Sequence, residues 1–208
     1  MGRYTGPKCR LCRREGMKLF LKGTRCETEK CAIARRDYPP GNVSLRRGKT
    51  SAFGEGLREK QKVKRFYGVF EEQFRRYFDV ASHAKGNTGE ALMTIFERRL
   101  DNVVLKIGWA ASRAEARQLI THGHVNVAGH RVNVPSYLVK LGDELKIRPK
   151  TDSQKRARAR LEETKGRQCP AWIVSNTETL SGKVAALPTR EDVSIPVQEQ
   201  LIVELLSR

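Results

Sequence analysis

The chain is expected to fold as α+β, in three parts: an N-terminal metal knuckle, a small all-helical body, and a unit of two helices on a small β-sheet. Three observations predict this. Apolar residues recur at helical spacing between Leu57 and Ile107. The period changes to two from Val125 onward. Four cysteines crowd into the first 31 residues, where apolar periodicity is poor.

Charge sets the first bound on function. The 208 residues carry 41 Lys and Arg against 23 Asp and Glu, a net +18. An excess of that size attracts polyanions and repels itself without them. It is unevenly spread: residues 1–50 hold 14 basic and 4 acidic side chains, a net +10, whereas 151–208 hold 9 and 8. The polyanion-binding surface is therefore expected near the N-terminus, and the near-neutral last quarter suits a protein partner better. No apolar run is long enough to span a bilayer, and Met1-Gly2-Arg3-Tyr4 does not open a signal peptide. A soluble, unsecreted protein is expected.

The first element is Cys9-x-x-Cys12 followed by Cys26 and Cys31. Two cysteines two residues apart can turn both sulfurs towards one ion, and a second pair closes a tetrahedron. Two disulfides would suit a secreted protein, and a redox pair would need a strand–helix context that is absent around Cys9. A structural metal is the expectation, zinc ahead of an iron–sulfur cluster. Lys8, Arg10, Arg13, Arg14, Arg25 and Lys30 surround the ligands and leave the knuckle cationic. Cys169, alone beside Pro170, reads as an ordinary half-buried residue.

Tyr38-Pro39-Pro40-Gly41 ends the knuckle, because two prolines forbid a continuing helix. Gly41 to Gly54 is a flexible basic linker that carries Arg46, Arg47 and Lys49. The body follows. Leu57, Val63, Phe66 and Tyr67 form the inner stripe of one helix, stopped by Gly68. Phe74, Tyr77, Phe78 and Ala81 share a face of a second, between Glu71 and Ala84, where core packing is favoured over base stacking. A third helix begins at Thr88 or Gly89 and runs through Leu92, Ile95, Phe96 and Leu100.

Leu100, Val103, Val104 and Ile107 make the next core stripe, stopped by Gly108. Ser112-x-x-Glu115 is a capping box that opens another helix, with Ala116, Leu119 and Ile120 inward and Gly123 at its end. Arg113 and Arg117 lie one turn apart and are expected to be exposed, able to reach two phosphates or a phosphate and a base edge. Val125 and Val127, then Val132 and Val134, alternate as strands about Ala128-Gly129, and Leu141-Gly142-Asp143 turns into Leu145 and Ile147.

Arg113-Ala114-Glu115-Ala116-Arg117-Gln118-Leu119-Ile120, then His122-Gly123-His124-Val125-Asn126-Val127-x-Gly129, strongly resembles the S-four RNA-binding module. Arg98 to Val104, Arg58 to Arg65 and Leu201-Ile202-Val203-Glu204 are similar to the bacterial small-subunit ribosomal protein family of that name, so the resemblance covers nearly the whole chain. Ala128 departs from it, standing where the family commonly has Asn. Ala tolerates positive φ poorly, so the turn is expected to depart from type I′.

The resemblance implies a zinc-knuckle-containing form in which the cysteines are structural and the module is an insertion. The divisions are then a knuckle and basic extension over 1–44, a helical body over 45–97 completed by 151–208, and the module over 98–150. The candidate RNA-binding residues are Arg3, Arg10, Arg13, Arg14, Arg35 and Arg36 in the knuckle, and Arg46, Arg47 and Lys49 in the linker. Arg58, Lys62 and Arg65 belong to the body, and Ser112, Arg113, Arg117, Gln118 and Arg131 to the module. The resemblance further implies a cytoplasmic, ribosome-bound protein that binds a multi-helix junction of small-subunit ribosomal RNA and nucleates assembly of the subunit body. It implies a place near the messenger RNA entrance, beside ribosomal proteins S-five and S-three, and an influence on translational accuracy through S-five. Neither a membrane nor DNA is an expected partner.

Beyond the module, Ser153 to Lys165 is a basic amphipathic helix, and Ala171 to Val174 and Lys183 to Ala185 are two short strands joined by Gly182. Val197, Leu201 and Leu205 place a final helix at the C-terminus. Catalysis has little support. His83, His122, His124 and His130 lack Cys or carboxylate partners at a telling spacing, and there is no phosphate-cradling loop or dinucleotide fingerprint. The main alternative is an RNA-modifying or RNA-chaperone protein with the same module; an enzyme of that kind needs a separate catalytic domain. A zinc-finger DNA regulator would place a recognition helix after the cysteines, where Tyr38-Pro39-Pro40-Gly41 stands.

Overall fold

The structure, a computed structural model, describes residues 2–41, 51–164 and 166–207. Arg46, Arg47 and Lys49 lie outside the described residues, as does Lys165. The chain divides into two compact units, residues 1–93 with 194–208, and residues 94–193.

The first unit is helical. Helix α1 spans Lys8–Glu15, a single 3-10 turn spans Gly23–Cys26, and α2 is the short Ala32–Arg35. Helix α3, Ala52–Tyr67, is capped by Ser51, whose hydroxyl accepts from the Gly54 amide at 3.2 Å. It stops at Gly68, which takes the left-handed φ of 64°. Helix α4, Glu71–Ser82, buries Phe74, Tyr77, Phe78 and Ala81, so these aromatics are core and not stacking platforms. Helix α5, Thr88–Glu97, contains the division between the units. The last helix of the chain packs against α3. A Cβ on Gly56 would meet the Leu201 carbonyl oxygen at 3.0 Å and the Leu205 Cβ at 3.4 Å, so a small residue there sets how closely the two helices approach. Glu15, with its side chain almost wholly buried, ion-pairs with Arg65 and, at 3.5 Å, with Arg58, and so ties α1 to α3.

The second unit holds the sheet. Helix α6 spans Leu100–Ile107 and α7 spans Arg113–Thr121. Strands β1 (Val125–Val127), β2 (His130–Arg131) and β3 (Glu144–Ile147) precede α8 (Thr151–Glu163). Strands β4 (Ile173–Asn176) and β5 (Ser181–Val184) follow, and the C-terminal helix α9 (Glu199–Leu206) belongs to the first unit. The sheet is antiparallel and five-stranded, in the order β2-β1-β3-β5-β4. Leu100, Val103, Val104 and Ile107 join Ala116, Ile120, Val125, Val127 and Leu145 in one buried cluster, with Trp172, Ile173, Leu180 and Val184 added from the later strands.

Several expectations change. The helix through Leu92, Ile95 and Phe96 does not continue to Leu100: Arg99 is extended (φ −63°, ψ 136°) and bridges Leu138, and α6 starts afresh. Val132 and Val134 are not in a strand. The carbonyls of Pro135 and Tyr137 instead accept the Asp101 and Leu100 amides (3.1 and 2.8 Å), which satisfies the open N-terminus of α6. The turn between β1 and β2 has positive φ at both Ala128 (48°) and Gly129 (81°), as a type I′ turn requires, so the expected departure from that geometry is corrected. The two-residue connection in register, Val127 opposite His130, imposes it.

Residues 151–193 fold with the module, and only 194–208 return to the helical body. The cause is register: β5 pairs with β3, Leu145 opposite Gly182. Gly182 lies within β5 and does not join the two strands. A Cβ there would come within 2.8 Å of the Ile107 Cδ1, so glycine lets the strand lie against α6.

Candidate nucleic-acid interface

The serine half of the capping box forms as its spacing predicts, and the glutamate half is shifted by one residue. The Ser112 hydroxyl accepts from the Glu115 amide at 3.4 Å, and Glu115 Oε2 accepts from the Ala111 amide at 2.9 Å, one residue before the cap. Ser112 thus anchors α7. The expectation that Arg113 and Arg117 are exposed is corrected. Arg113 is buried and donates from Nε and Nη2 to Asn102 Oδ1 at 3.1 and 2.8 Å. Arg117 donates from Nε to Asp101 Oδ2 at 2.7 Å. Asp101 is also gripped by Arg99, Nε to Oδ1 at 3.0 Å and Nη2 to Oδ2 at 2.8 Å. Asn102 Nδ2 in turn donates to the buried Glu97 carboxylate at 2.7 Å.

This network needs both of its charges. Full burial pushes the Asp101 carboxyl up, but the Arg99 and Arg117 guanidiniums outweigh it and hold the group below the usual carboxylate value. An ionised carboxylate inside a core is tolerable only when paired and hydrogen-bonded. Arg113 and Arg117 therefore pin α7 to α6. The local signal was present: Asp101-Asn102 sits inside the apolar stripe of α6, where a polar pair must find buried partners.

Other basic candidates divide in the same way. Arg13 donates to the Tyr38 and Pro39 carbonyls (2.9 and 3.3 Å) and stacks over the Tyr38 ring, closing the end of the cysteine segment. Arg58 and Arg65 face Glu15, and Lys62 ion-pairs with Glu59. Arg3, Arg10, Arg14, Arg35 and Arg36 are exposed, as are Gln118 and Arg131. The Arg131 guanidinium lies across Gly123, where any Cβ would collide with it, and Nη2 reaches the His122 carbonyl at 3.5 Å. Exposed Arg148, Lys150, Lys155, Arg156 and Arg158 on and before α8 add a basic face that was not among the expected contacts. Its signal was the basic run of residues 155–160.

The cysteines converge. Cys9, Cys12, Cys26 and Cys31 line one cavity of about 20 Å3, room for a single ion- or water-sized occupant. None is in a disulfide. The Lys22 amide donates to Cys26 Sγ at 3.4 Å, and a backbone bond from Leu19 reaches Cys12. Burial pushes both of these thiols above the ordinary value, against those backbone donors. Four soft thiols around one cavity are suitable donor chemistry for zinc. As placed, however, no group of three or more His, Cys, Asp or Glu among the described residues is arranged to hold a metal ion. Among the described residues, no helix is long and apolar enough to cross a membrane.

Together, a helix-and-sheet unit with exposed basic residues on β2 and α8, and a cysteine segment with exposed arginines, define the class as a nucleic-acid-binding protein. Comparison with known proteins makes this particular. Residues 3–97 match the family model "Ribosomal protein S4/S9 N-terminal domain", and residues 98–145 match "S4 domain". Over 208 residues, all of both chains, the sequence is 56% identical to small ribosomal subunit protein uS4 of Caldicellulosiruptor saccharolyticus. It is 55% identical to that of Acetivibrio thermocellus, again over all of both chains. The same full coverage holds at 52% for uS4 of a Thermoanaerobacter species. The chain belongs to the uS4 family of small ribosomal subunit proteins, which are structural proteins and not enzymes.

Proposed function

We propose that the chain is a structural component of the small ribosomal subunit that binds its ribosomal RNA at a multi-helix junction and nucleates assembly of the subunit body. The observation that carries this is kinship over the full length of uS4 relatives, together with two family matches that adjoin at residues 97 and 98. The mechanism is neutralisation of phosphates by exposed Arg and Lys side chains. Arg3, Arg10, Arg14, Arg35 and Arg36 are the principal contacts, with Arg131 and the basic face of α8. The protein acts on the cytoplasmic ribosome near the messenger RNA entrance, beside S-five and S-three, and contributes to accuracy through S-five.

Cys9, Cys12, Cys26 and Cys31 hold a structural zinc ion; their convergence on one cavity, more than the present sulfur positions, supports this. Bound zinc would supply folding energy to a segment with little apolar burial. Co-purification tests the whole reading. Small-subunit ribosomal RNA is expected to be enriched with the tagged protein, and its affinity is expected to fall linearly on a log–log plot between about 50 and 200 mM salt. Recovery of unrelated RNA, or an affinity indifferent to salt, would contradict it.

A further inference from the structure

We propose that the cleft between α7 and α8 receives one unpaired nucleotide of the bound RNA. The inference rests on the RNA-binding role proposed above and adds a place where a base, and not only a phosphate, is read. The cleft measures about 460 Å3, inside the range of about 300–1,000 Å3 usual for small-ligand sites. Its floor is apolar: Ala159 is exposed on the outer face of α8, and the buried Trp109 and Leu119 lie beneath. The rest is polar: Gln118 and His122 at the exposed end of α7, His124 just beyond it, and Arg156 across from them on α8.

Two of the lining groups are held in place. Arg160 is fixed by Glu115 at 2.7 Å and Glu163 at 2.6 Å, so α7 and α8 are braced on either side of the opening. His124 is set by Nδ1 against the Ser153 hydroxyl at 2.8 Å. Burial, with the positive charges of His122, Arg156, Lys150 and Arg148 around it, pushes this imidazole below its ordinary value. With Nδ1 engaged by Ser153, the neutral ring keeps Nε2 for one hydrogen bond, which suits the edge of a base better than a phosphate.

The occupant follows from the combination. The surrounding Arg148, Lys150 and Arg156 favour a ligand that carries negative charge. The apolar floor under Ala159 favours a ligand with an apolar face, and the Gln118 amide and the imidazoles favour one with a hydrogen-bonding edge. A nucleotide has all three features, and unpaired bases are the usual targets of sequence-specific RNA recognition. Inorganic phosphate would leave the apolar floor in water.

The test uses the full chain and small-subunit ribosomal RNA, probing base edges with dimethyl sulfate and carbodiimide alongside affinity. Ala159→Trp fills the cleft from an exposed helix position without touching the core. An unpaired nucleotide protected by the parent protein is expected to regain reactivity, with affinity falling roughly tenfold, the scale of one base contact. The salt slope is expected to stay the same, because the variant expels the base and leaves Arg148, Lys150 and Arg156 in place for the phosphates. Gln118→Ala with His122→Ala is expected to expose the same nucleotide, and it serves if the Trp variant does not fold. Unchanged protections and affinity in a folded variant would overturn the inference. So would a loss accompanied by a shallower salt slope, which marks a phosphate site, or the absence of any protected base in the parent complex. Failure of the parent protein to bind the RNA at all would instead overturn the underlying role.

Discussion

The cysteine segment and the α6–α7 pair both carry many arginines, yet they use them in opposite directions. In the segment, Arg3, Arg10, Arg14, Arg35 and Arg36 are exposed, and among the described residues before Pro39 the buried hydrophobic ones are Cys12, Leu19, Cys26 and Cys31. In the pair, Arg99 and Arg113 are buried and Arg117 nearly so, all bonded to Asp101 or Asn102 within an extensive apolar cluster. The segment has charge to offer and little core; the pair has a core and uses its charge to fix it. A basic residue in an RNA-binding chain is therefore an interface residue only where the core does not claim it.

Metal removal tests the segment's side of this contrast and should have the largest effect. Chelation, or Cys9→Ser with Cys31→Ser, is expected to unfold residues 2–40 locally while residues 94–193 keep their structure. Affinity should fall as well, because ordering the freed arginines on RNA then costs conformational entropy. Limited proteolysis with and without chelator reads this out, together with the zinc content of the purified protein. Equal protection in both samples would sink the zinc proposal.

Next in size is the buried network. Asp101→Ala leaves Arg99 and Arg117 facing an uncompensated core, and removing one partner of a buried ion pair costs about 3–5 kcal/mol. Thermal unfolding is expected to show that loss, while the cysteine segment stays protected. A stability change within about 0.5 kcal/mol, the scale of surface substitutions, would mean that the pair is not structural.

Much of the fold was legible because its signals are local. Gly68, Gly108 and Gly123 stop helices where expected, Ser112 caps its helix, and the aromatics of α4 are core. What was not legible depends on partners distant in sequence. Residues 181–184 pair with 144–147, more than thirty positions earlier, and no local pattern specifies that register. Val132 and Val134 alternate as a strand would, but the backbone beside them caps α6. The spacing of Arg113 and Arg117 is the same whether they face solvent or Asp101 and Asn102. Ala128 shows the reverse case: a two-residue connection forces a positive φ that the residue itself disfavours.

A smaller effect comes from acid. The folded-state pKa of Asp101 is depressed, so its stabilisation is complete above the unfolded value of about 3.9 and is lost as pH falls through the folded value. Acid unfolding of the unit that holds α6 and α7, followed by the fluorescence of Trp109 and Trp172, should therefore occur at lower pH in the parent than would follow from an ordinary carboxylate. In Asp101→Asn, the stability change across this range should be smaller. An identical acid profile in the variant would remove Asp101 from the account.

The most direct measurement is a paired one. One variant replaces Arg10, Arg14, Arg35 and Arg36 with Ala, and the other replaces Arg113 alone. For each, the melting temperature and the salt dependence of RNA affinity per folded molecule are determined. The first variant is expected to melt like the parent and to lose about one unit of salt slope for each phosphate contact removed. The second is expected to melt lower and, while folded, to keep the parent's slope. The reverse pattern, an unchanged melting temperature with a lost slope at Arg113 or an unchanged slope in the fourfold variant, would contradict the division between arginines that bind RNA and arginines that hold the fold.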